Sequence, residues 1–512
     1  MKTTQKILAL LLCGVLLFLL AGCSPASLFR KTNRLAPEYT GWTDENGNVY
    51  AVSADGKAAK MNVSDLDEAV ILPGGKKAVY WGDDDDTIFV LNMKNGKIEK
   101  VAEEAYSDGD LTVGSAMLIY KEGIGDGETT IYDIERNKTI YSIQEEDAIG
   151  LCFGVGPFED TITAVAYIKD GQLYTYAADT KKVQKLGYVD IDKDIETDCI
   201  SRNGKAVVFF ESKKGNEQAP VTVKVQYGTT QTEVCTLKNF SRYFFNPEVS
   251  ADGKTAVVSG DEKLYLIKKG KVEQEFNIGA SGYYTYTDQD HLSQDSGNID
   301  GVYVESDDTL YYCNFKGEKT KVVGGVTNFE IKNNKIYYVK NEALYAAKIK
   351  KGTISDEVKV GANVGYGCLV SEDGKYIYYK NKEGALYAYR FGEDNAKQVA
   401  KNVVYYIINR KGTEVVFLSD EKTKEGTRWG RPVSTYTLKT YNYKKDKCTE
   451  IADGVENDLI TGMCSGYYIT PDNFTYAEYA GKNSNGEALW DLKHYNGKKS
   501  ETVLKGATKN YY

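Results

Sequence analysis

Histidine is nearly missing from this chain: among 512 residues there are only His291 and His494. No His-Glu-x-x-His run is present, which excludes the zinc proteases built on that helix. No Gly-x-Ser-x-Gly is present either, and Gly279-Ala280-Ser281-Gly282 is one residue short and lacks a strand–turn–helix setting. Proline is scarce, with 8 copies against 49 glycines, so the chain is no proline-rich disordered segment and has many glycine turns instead. No Cys-x-x-Cys pair exists. Beyond Cys13 and Cys23 the seven cysteines are Cys152, Cys199, Cys235, Cys313, Cys368, Cys448 and Cys464, an odd number that argues against a full disulfide framework. They read as small apolar strand residues. Basic residues are in deficit, 64 against 73 acidic, and the charge of −9 argues against nucleic acid as the main partner. Long apolar runs are missing too: Ile7 to Leu20 is too short for an ordinary membrane span, and no other segment reaches it.

What the chain has in excess is tyrosine, 41 copies against 16 phenylalanines and 4 tryptophans. Tyrosine suits sheet surfaces that are apolar along the ring and wet at the hydroxyl. The tyrosines recur. Leu369 to Tyr389 reads as strand, turn, strand, turn, strand, with turns at Asp373-Gly374 and Glu383-Gly384. An aromatic strand landmark returns at Phe89, Tyr132, Tyr174, Tyr227, Tyr265, Tyr311, Tyr345, Tyr387, Tyr441 and Tyr495, a mean step of 45 residues. A four-stranded propeller blade takes about 40–50 residues. Hairpin signals recur as well, as in Arg202-Asn203-Gly204-Lys205, Ala251-Asp252-Gly253-Lys254, Asn333-Asn334-Lys335 and Glu372-Asp373-Gly374-Lys375. Val49 to Val52 with Ala54-Asp55-Gly56-Lys57 is an eleventh, partial unit. The expected fold is all-β: a propeller of about ten four-stranded blade-like repeats, as one large ring or two tandem propellers.

The N-terminus reads separately. Met1 to Lys6 is a basic start, the apolar run follows, and Leu20-Ala21-Gly22-Cys23 closes it. This order resembles the lipobox of bacterial lipoproteins. The resemblance implies cleavage between Gly22 and Cys23, a lipid on the Cys23 thiol, and attachment to the outer face of the cell membrane. The expected organisation is 1–22 signal peptide, 23–45 lipidated tether, and 46–512 propeller. The Asp-Gly-Lys hairpins resemble TolB-type repeats, and Ile336-Tyr337-Tyr338 to Leu344-Tyr345 is similar to the YWTD-related propellers, although only Tyr80-Trp81-Gly82-Asp83 approaches that tetrapeptide. These resemblances imply a propeller with a binding role, and they carry no site.

Candidate chemistry is sparse. Asp288-Gln289-Asp290-His291 is a polar loop with one histidine and reads as unreactive, and His494 reads as a packed strand ring. Asp83 to Asp86 and the alternating Asp190, Asp192, Asp194, Glu196 and Asp198 offer hard oxygens for calcium. The second run lacks the glycine of a calcium loop, and solvated acidic edge residues are the preferred reading; no metal and no cofactor is expected. The stretch Thr423 to Pro432 lengthens a hairpin and sets Trp429 between Arg428 and Arg431, residue types enriched at binding hot spots. Either these three form a contact surface or the ring tucks against its own blade. The functional expectation is a non-catalytic binding or scaffold protein of the bacterial envelope with a protein, peptide or glycan ligand. The alternative is a propeller-platform enzyme acting on glycans through paired carboxylates.

Overall fold

The computed structural model describes residues 39–509 except 45, 54–55, 61–68, 72–76, 83–86, 93–96, 104, 107–111, 115–116, 123–128, 135–137, 144–148, 154–161, 178–179, 191, 215–219, 238–246, 261, 280–284, 429–430 and 457–472. Among the described residues the only helical element is one 3-10 turn, Leu292–Gln294, and the regular structure is otherwise strand. The strands form consecutive antiparallel sheets, called blades 1 to 11 here: 39–60, 69–102, 105–143, 149–188, 193–237, 248–277, 301–324, 326–361, 364–400, 403–455 and 474–509. Blades 2, 4, 5, 6, 8 and 9 are separate four-stranded sheets whose strands pair in chain order. Blade 10 has four strands too, but blades 10, 11 and 1 join edge to edge into one ten-stranded sheet. This is the propeller repeat that the spacing predicts.

Local sequence explains the strands. In blade 8, Lys335–Lys340 and Ala343–Lys350 are joined by Asn341 and Glu342, both at positive φ (50° and 59°). Two positive-φ residues make the hairpin turn whose twist matches that of the strands. All ten aromatic landmarks fall in strands. Where an aliphatic residue precedes the landmark it is fully buried, and Leu173, Leu344 and Leu386 pack against the next blade. The aromatic faces the other way and stacks on its cross-strand partner: Tyr174 on Tyr167, Tyr345 on Tyr338, Tyr387 on Tyr379, with ring centroids 5.2–5.4 Å apart. Blades 4, 8 and 9 thus each use tyrosine in a stacked cross-strand pair.

The first hairpin turn of a blade is a small polar cup. In blade 9 the Ser371 hydroxyl donates to Asp373 (2.8 Å), while the amides of Lys375 and Tyr376 donate back to Asp373 and Ser371. Ser250 with Asp252, and Ser201 with Asn203, repeat it. The cups link along one rim: Asn203 donates to the Asp252 carbonyl, Asn333 to the Glu372 carbonyl, and the Glu372 amide to the Arg410 carbonyl.

The ring closes at the chain ends. Tyr39–Thr43 pairs with Val49–Ser53 on one side and with the last strand, Ser500–Lys509, on the other. Residues 39–43 thus form a strand of this sheet, ahead of residue 46, where the propeller was expected to begin. Trp42 from the first strand and Trp490 from the last blade share one buried cluster with Leu418, Leu438 and Tyr476. Further clusters join blades 4–5, 5–6, 6–7, 7–8, 8–9 and 9–10 in turn. Blade 1 lies against blade 2 through their first strands. Lys77 reaches the Ile134 carbonyl, and Tyr176 donates to Asp133, which links blades 2, 3 and 4. The succession is one circuit closed by the two ends of the chain, which is the single large ring of the two arrangements expected.

Candidate functional site

Blade 7 differs from its neighbours. It has three strands, and segment 285–299 runs where the other blades place a first strand. Tyr286 pairs with Tyr303 by two backbone bonds (3.1 and 2.7 Å), so the segment starts as a strand and then turns away through His291 and Leu292–Gln294. First strands of several successive blades contact one another. The segment lies between Glu248–Val249 of blade 6 and Val326–Lys332 of blade 8.

A polar cluster collects there. Glu248 accepts the Thr285 amide at Oε1 (2.7 Å), while its Oε2 is buried without a hydrogen-bond partner. The Tyr286 hydroxyl donates to Glu330 at 3.0 Å. Lys332 pairs with Asp290 and lies 3.6 Å from Glu330. The His291 ring packs on Tyr286, centroids 4.2 Å apart, with Nε2 4.0 Å from Glu330. Glu248, Tyr286 and His291 keep only 7, 4 and 6% of their surface exposed. Burial governs how they titrate. It pushes the Glu248 carboxyl up to about 8, against the pull of the Thr285 amide. Burial also raises Glu330, partly offset by Lys332 and Tyr286. His291 is pushed down to about 3 by burial and by the Lys332 charge. Burial thus favours the un-ionised form of both Glu248 and His291.

The structure moves His291 from the unreactive polar loop expected into the interior, and joins it to two glutamates that sequence reasoning passed over. Nothing adjacent in sequence marks Glu248, in a two-residue strand, or Glu330, in a strand with several polar residues, and only the topology brings them together. His494 is packed as expected, but across the ring closure: a Cβ at Gly56 would strike its ring. Asp190 to Asp198 lead into and along the first strand of blade 5. Among the described residues no three His, Cys, Asp or Glu side chains stand together as a metal site. Gly22, Cys23, Asp83 to Asp86 and Trp429 lie outside the described residues.

Arg428 and Arg431 close a long hairpin, Glu414–Arg428 with Arg431–Asn442, in which they are paired across the tip. The stretch expected as a surface loop is thus a two-stranded arm, and it is not detached from the core. Val433 belongs to the cluster of Trp42 and Trp490. The Thr427 amide donates to the Gly486 carbonyl (2.9 Å), Tyr479 donates to the Glu425 carbonyl, and Lys482 pairs with Glu425 at 3.4 Å. The arm lies along blade 11.

No protein-family model matches the chain, and no curated protein matches it. Among solved structures it is similar to a eukaryotic initiation factor (11% identity, 81% of this chain and 96% of that one, TM-score 0.42). It is also similar to the C-terminal WD40 domain of Sif2 (12% identity, 67% and 92%, TM-score 0.30) and to dipeptidyl peptidase 4 of Porphyromonas gingivalis (11% identity, 86% and 65%, TM-score 0.35).

Proposed function

We propose that the chain is a lipid-anchored binding or scaffold protein on the extracytoplasmic face of a bacterial cell membrane, presenting a non-catalytic propeller to a protein, peptide or glycan partner. Leu20-Ala21-Gly22-Cys23 after the apolar run supports the anchor, and the resemblance of the hairpins to TolB-type and YWTD-related repeats supports the binding role. One structural observation favours binding over catalysis: Glu248 is buried, at 7% exposure, and its Oε1 is already engaged by the Thr285 amide. Arg428, Trp429 and Arg431 remain the proposed contact residues.

The anchor is tested in a bacterial host fed labelled palmitate. The wild-type chain is expected in the membrane fraction carrying label, and Cys23→Ala unlabelled and released; an unmodified Cys23 thiol in membrane-bound mature protein overturns the proposal. The binding role is tested by crosslinking the anchored protein in intact envelopes. A discrete partner that survives in wild type and is lost when Arg428 and Arg431 are both replaced by alanine is expected; equal capture by both removes these residues from the site.

The second reading, a glycan-acting enzyme, is favoured by one feature: burial pushes the Glu248 carboxyl up to about 8, the direction in which a general acid is shifted. Hydrolysis of envelope glycans by wild type and not by Glu248→Gln selects this reading over binding alone.

A further inference from the structure

The cups occupy one rim of the blades; the second hairpin turns and the connectors between blades occupy the other. There the Val326 amide donates to the Asp308 carbonyl, Val364 to Glu342, Lys382 to Asn363, Val403 to Gly384 and Asp420 to Asn402 (2.8–3.2 Å). These bonds join blades 7 to 10 along one edge. Asp307–Asp308 and Asp420 bound the stretch, and lysine fills it. Lys321, Lys340, Lys359, Lys380, Lys382 and Lys401 stand at or beside the turns and connectors, against Glu342 and Glu383. In a chain of net charge −9 this local excess runs against the composition. Lys382 pairs with Glu342 at 2.6 Å, and Lys380 donates to the Val404 carbonyl (3.0 Å). Lys321, Lys340, Lys359 and Lys401 form no ion pair among the described residues, and all but Lys340 are exposed. Two of the four flank one bare stretch of backbone: a Cβ at Gly324 would meet Lys321 Nζ at 3.0 Å, and one at Gly325 the Lys340 chain at 3.9 Å. Half-buried Tyr345 is directly opposite Lys359, and half-buried Tyr387 opposite Gln398, so ring and polar tip share a face. At the connector between blades 9 and 10 a cleft of about 480 Å³ is lined by Ala400, Lys401, Asp420, Lys439, Cys448 and Glu450. In it the Lys439 ammonium is fixed on Asp420 at 2.9 Å, which leaves Lys401 as the cation without a carboxylate.

We propose that this second rim of blades 7 to 10 binds an acidic polysaccharide, a chain of sugar rings bearing carboxylates, with one end seated in the cleft beside Lys401. The proposal rests on the reading of the chain as a binding protein, and it adds a surface apart from Arg428 and Arg431. Charge complementarity selects an anion, and its spread over successive blades selects a polymer, because several weak contacts on one chain add up to a useful affinity. All six cations are lysines, compact point charges that suit single carboxylates spaced along a chain; the bidentate fork that favours phosphate belongs to arginine. The cleft adds what a sugar needs: the Asp420 and Glu450 carboxylates accept bonds from hydroxyl groups, while Tyr345 and Tyr387 offer ring edges with apolar bodies. A flat sheet of phosphates would meet those same two carboxylates as repulsion.

The test is titration of the full chain with polygalacturonate and with its methyl ester, which keeps the rings and removes the charge. The wild type is expected to bind the acid form, more weakly at high salt, and not the ester. Replacing Lys321, Lys340, Lys359 and Lys401 together by glutamine should weaken binding at least about tenfold with the melting temperature unchanged, and replacing the same four by arginine should retain it. Lys401→Gln alone should weaken it about threefold, which keeps the cleft testable if the fourfold variant folds poorly. Equal binding of acid and ester, or binding unaffected by the lysine changes, overturns the rim. So does binding lost in the Arg428 and Arg431 double alanine variant and kept in the lysine variants, which moves the glycan to the arm. Attachment to phosphatidylglycerol vesicles without attachment to polygalacturonate overturns it as well. The binding role is judged separately by the envelope crosslink, so a discrete partner captured there by a chain that ignores polygalacturonate removes the rim and leaves that role standing.

Discussion

Tyr337 and Tyr378 each join two blades through a single oxygen. Both rings are fully buried in their own blade, and their hydroxyls donate to the carbonyls of Gly374 and Gly412 in the next (2.9 and 3.0 Å). Removing the hydroxyl leaves a buried carbonyl without its donor. Tyr337→Phe and Tyr378→Phe should each lower stability by about 1–2 kcal/mol, and the losses should add because the sites lie at different interfaces. Urea titration of the two single variants and the double variant checks both statements. The accepting glycines are equally constrained. Gly374 has φ +62°, and a Cβ there would meet the Lys332 carbonyl at 2.6 Å, whereas Gly392 (φ +90°) would meet nothing within 4 Å. Gly374→Ala should therefore melt well below Gly392→Ala, although both strain the backbone. His291 gives the acid limb of stability. Its folded value, about 3, lies below the ordinary 6.5, so its contribution is present above pH 6.5 and is lost as pH falls toward 3. Between pH 6.5 and 4 the wild type should lose more stability than His291→Phe, read as the difference in urea midpoint.

At the scale of elements, the long hairpin of blade 10 is the clearest departure from the repeat. Its length was legible from the 54-residue step before Tyr441, but its position was not. A turn signal says where a chain reverses; it does not say what the two strands lie against. The Thr427–Gly486 bond, the Glu425 contacts and buried Val433, in one cluster with Trp42, join partners far apart in the chain, and no local pattern encodes that. Val433→Ala should consequently cost about 1.5–3 kcal/mol in a thermal or urea melt, a core value and not a loop value. Segment 285–299 shows the same limit. Its polarity announced an interruption, but the missing first strand of blade 7 and the glutamates on either side come from strand order. The blades themselves were legible, because alternation, turn residues and the aliphatic–aromatic landmark are all local and agree with one another.

For the whole molecule, repeat spacing gave the number of units while leaving one ring or two open. Ring closure decides it, and closure depends on the pairing of Thr43 with Thr508 and on Trp42 meeting Trp490. A leader, a tether and the opening strand look alike when only three to five residues of strand are present, which is why Tyr39–Thr43 read as tether. Trp42→Ala should lose about 3–5 kcal/mol, as for a large buried ring, and a chain beginning at residue 46 should melt at lower temperature than one beginning at residue 39. Equal melting temperatures for the two chains would remove the first strand from the closure.

The strand that opens the sheet is made first and used last. The Thr508 hydroxyl donates to the Thr43 carbonyl across 465 residues of chain, so Tyr39–Thr43 has no partner on that side until the final strand has been synthesised. Blades 2 to 10 can assemble in order as the chain emerges, each on the one before it. Throughout that time Trp42 waits uncovered near the start of the chain, and the slowest contact-forming step is the return of the last strand to the first. Synthesis that stops short of residue 500 therefore leaves an open arc whose two unpaired edges are available to another unfinished copy, making truncated chains the species most prone to associate.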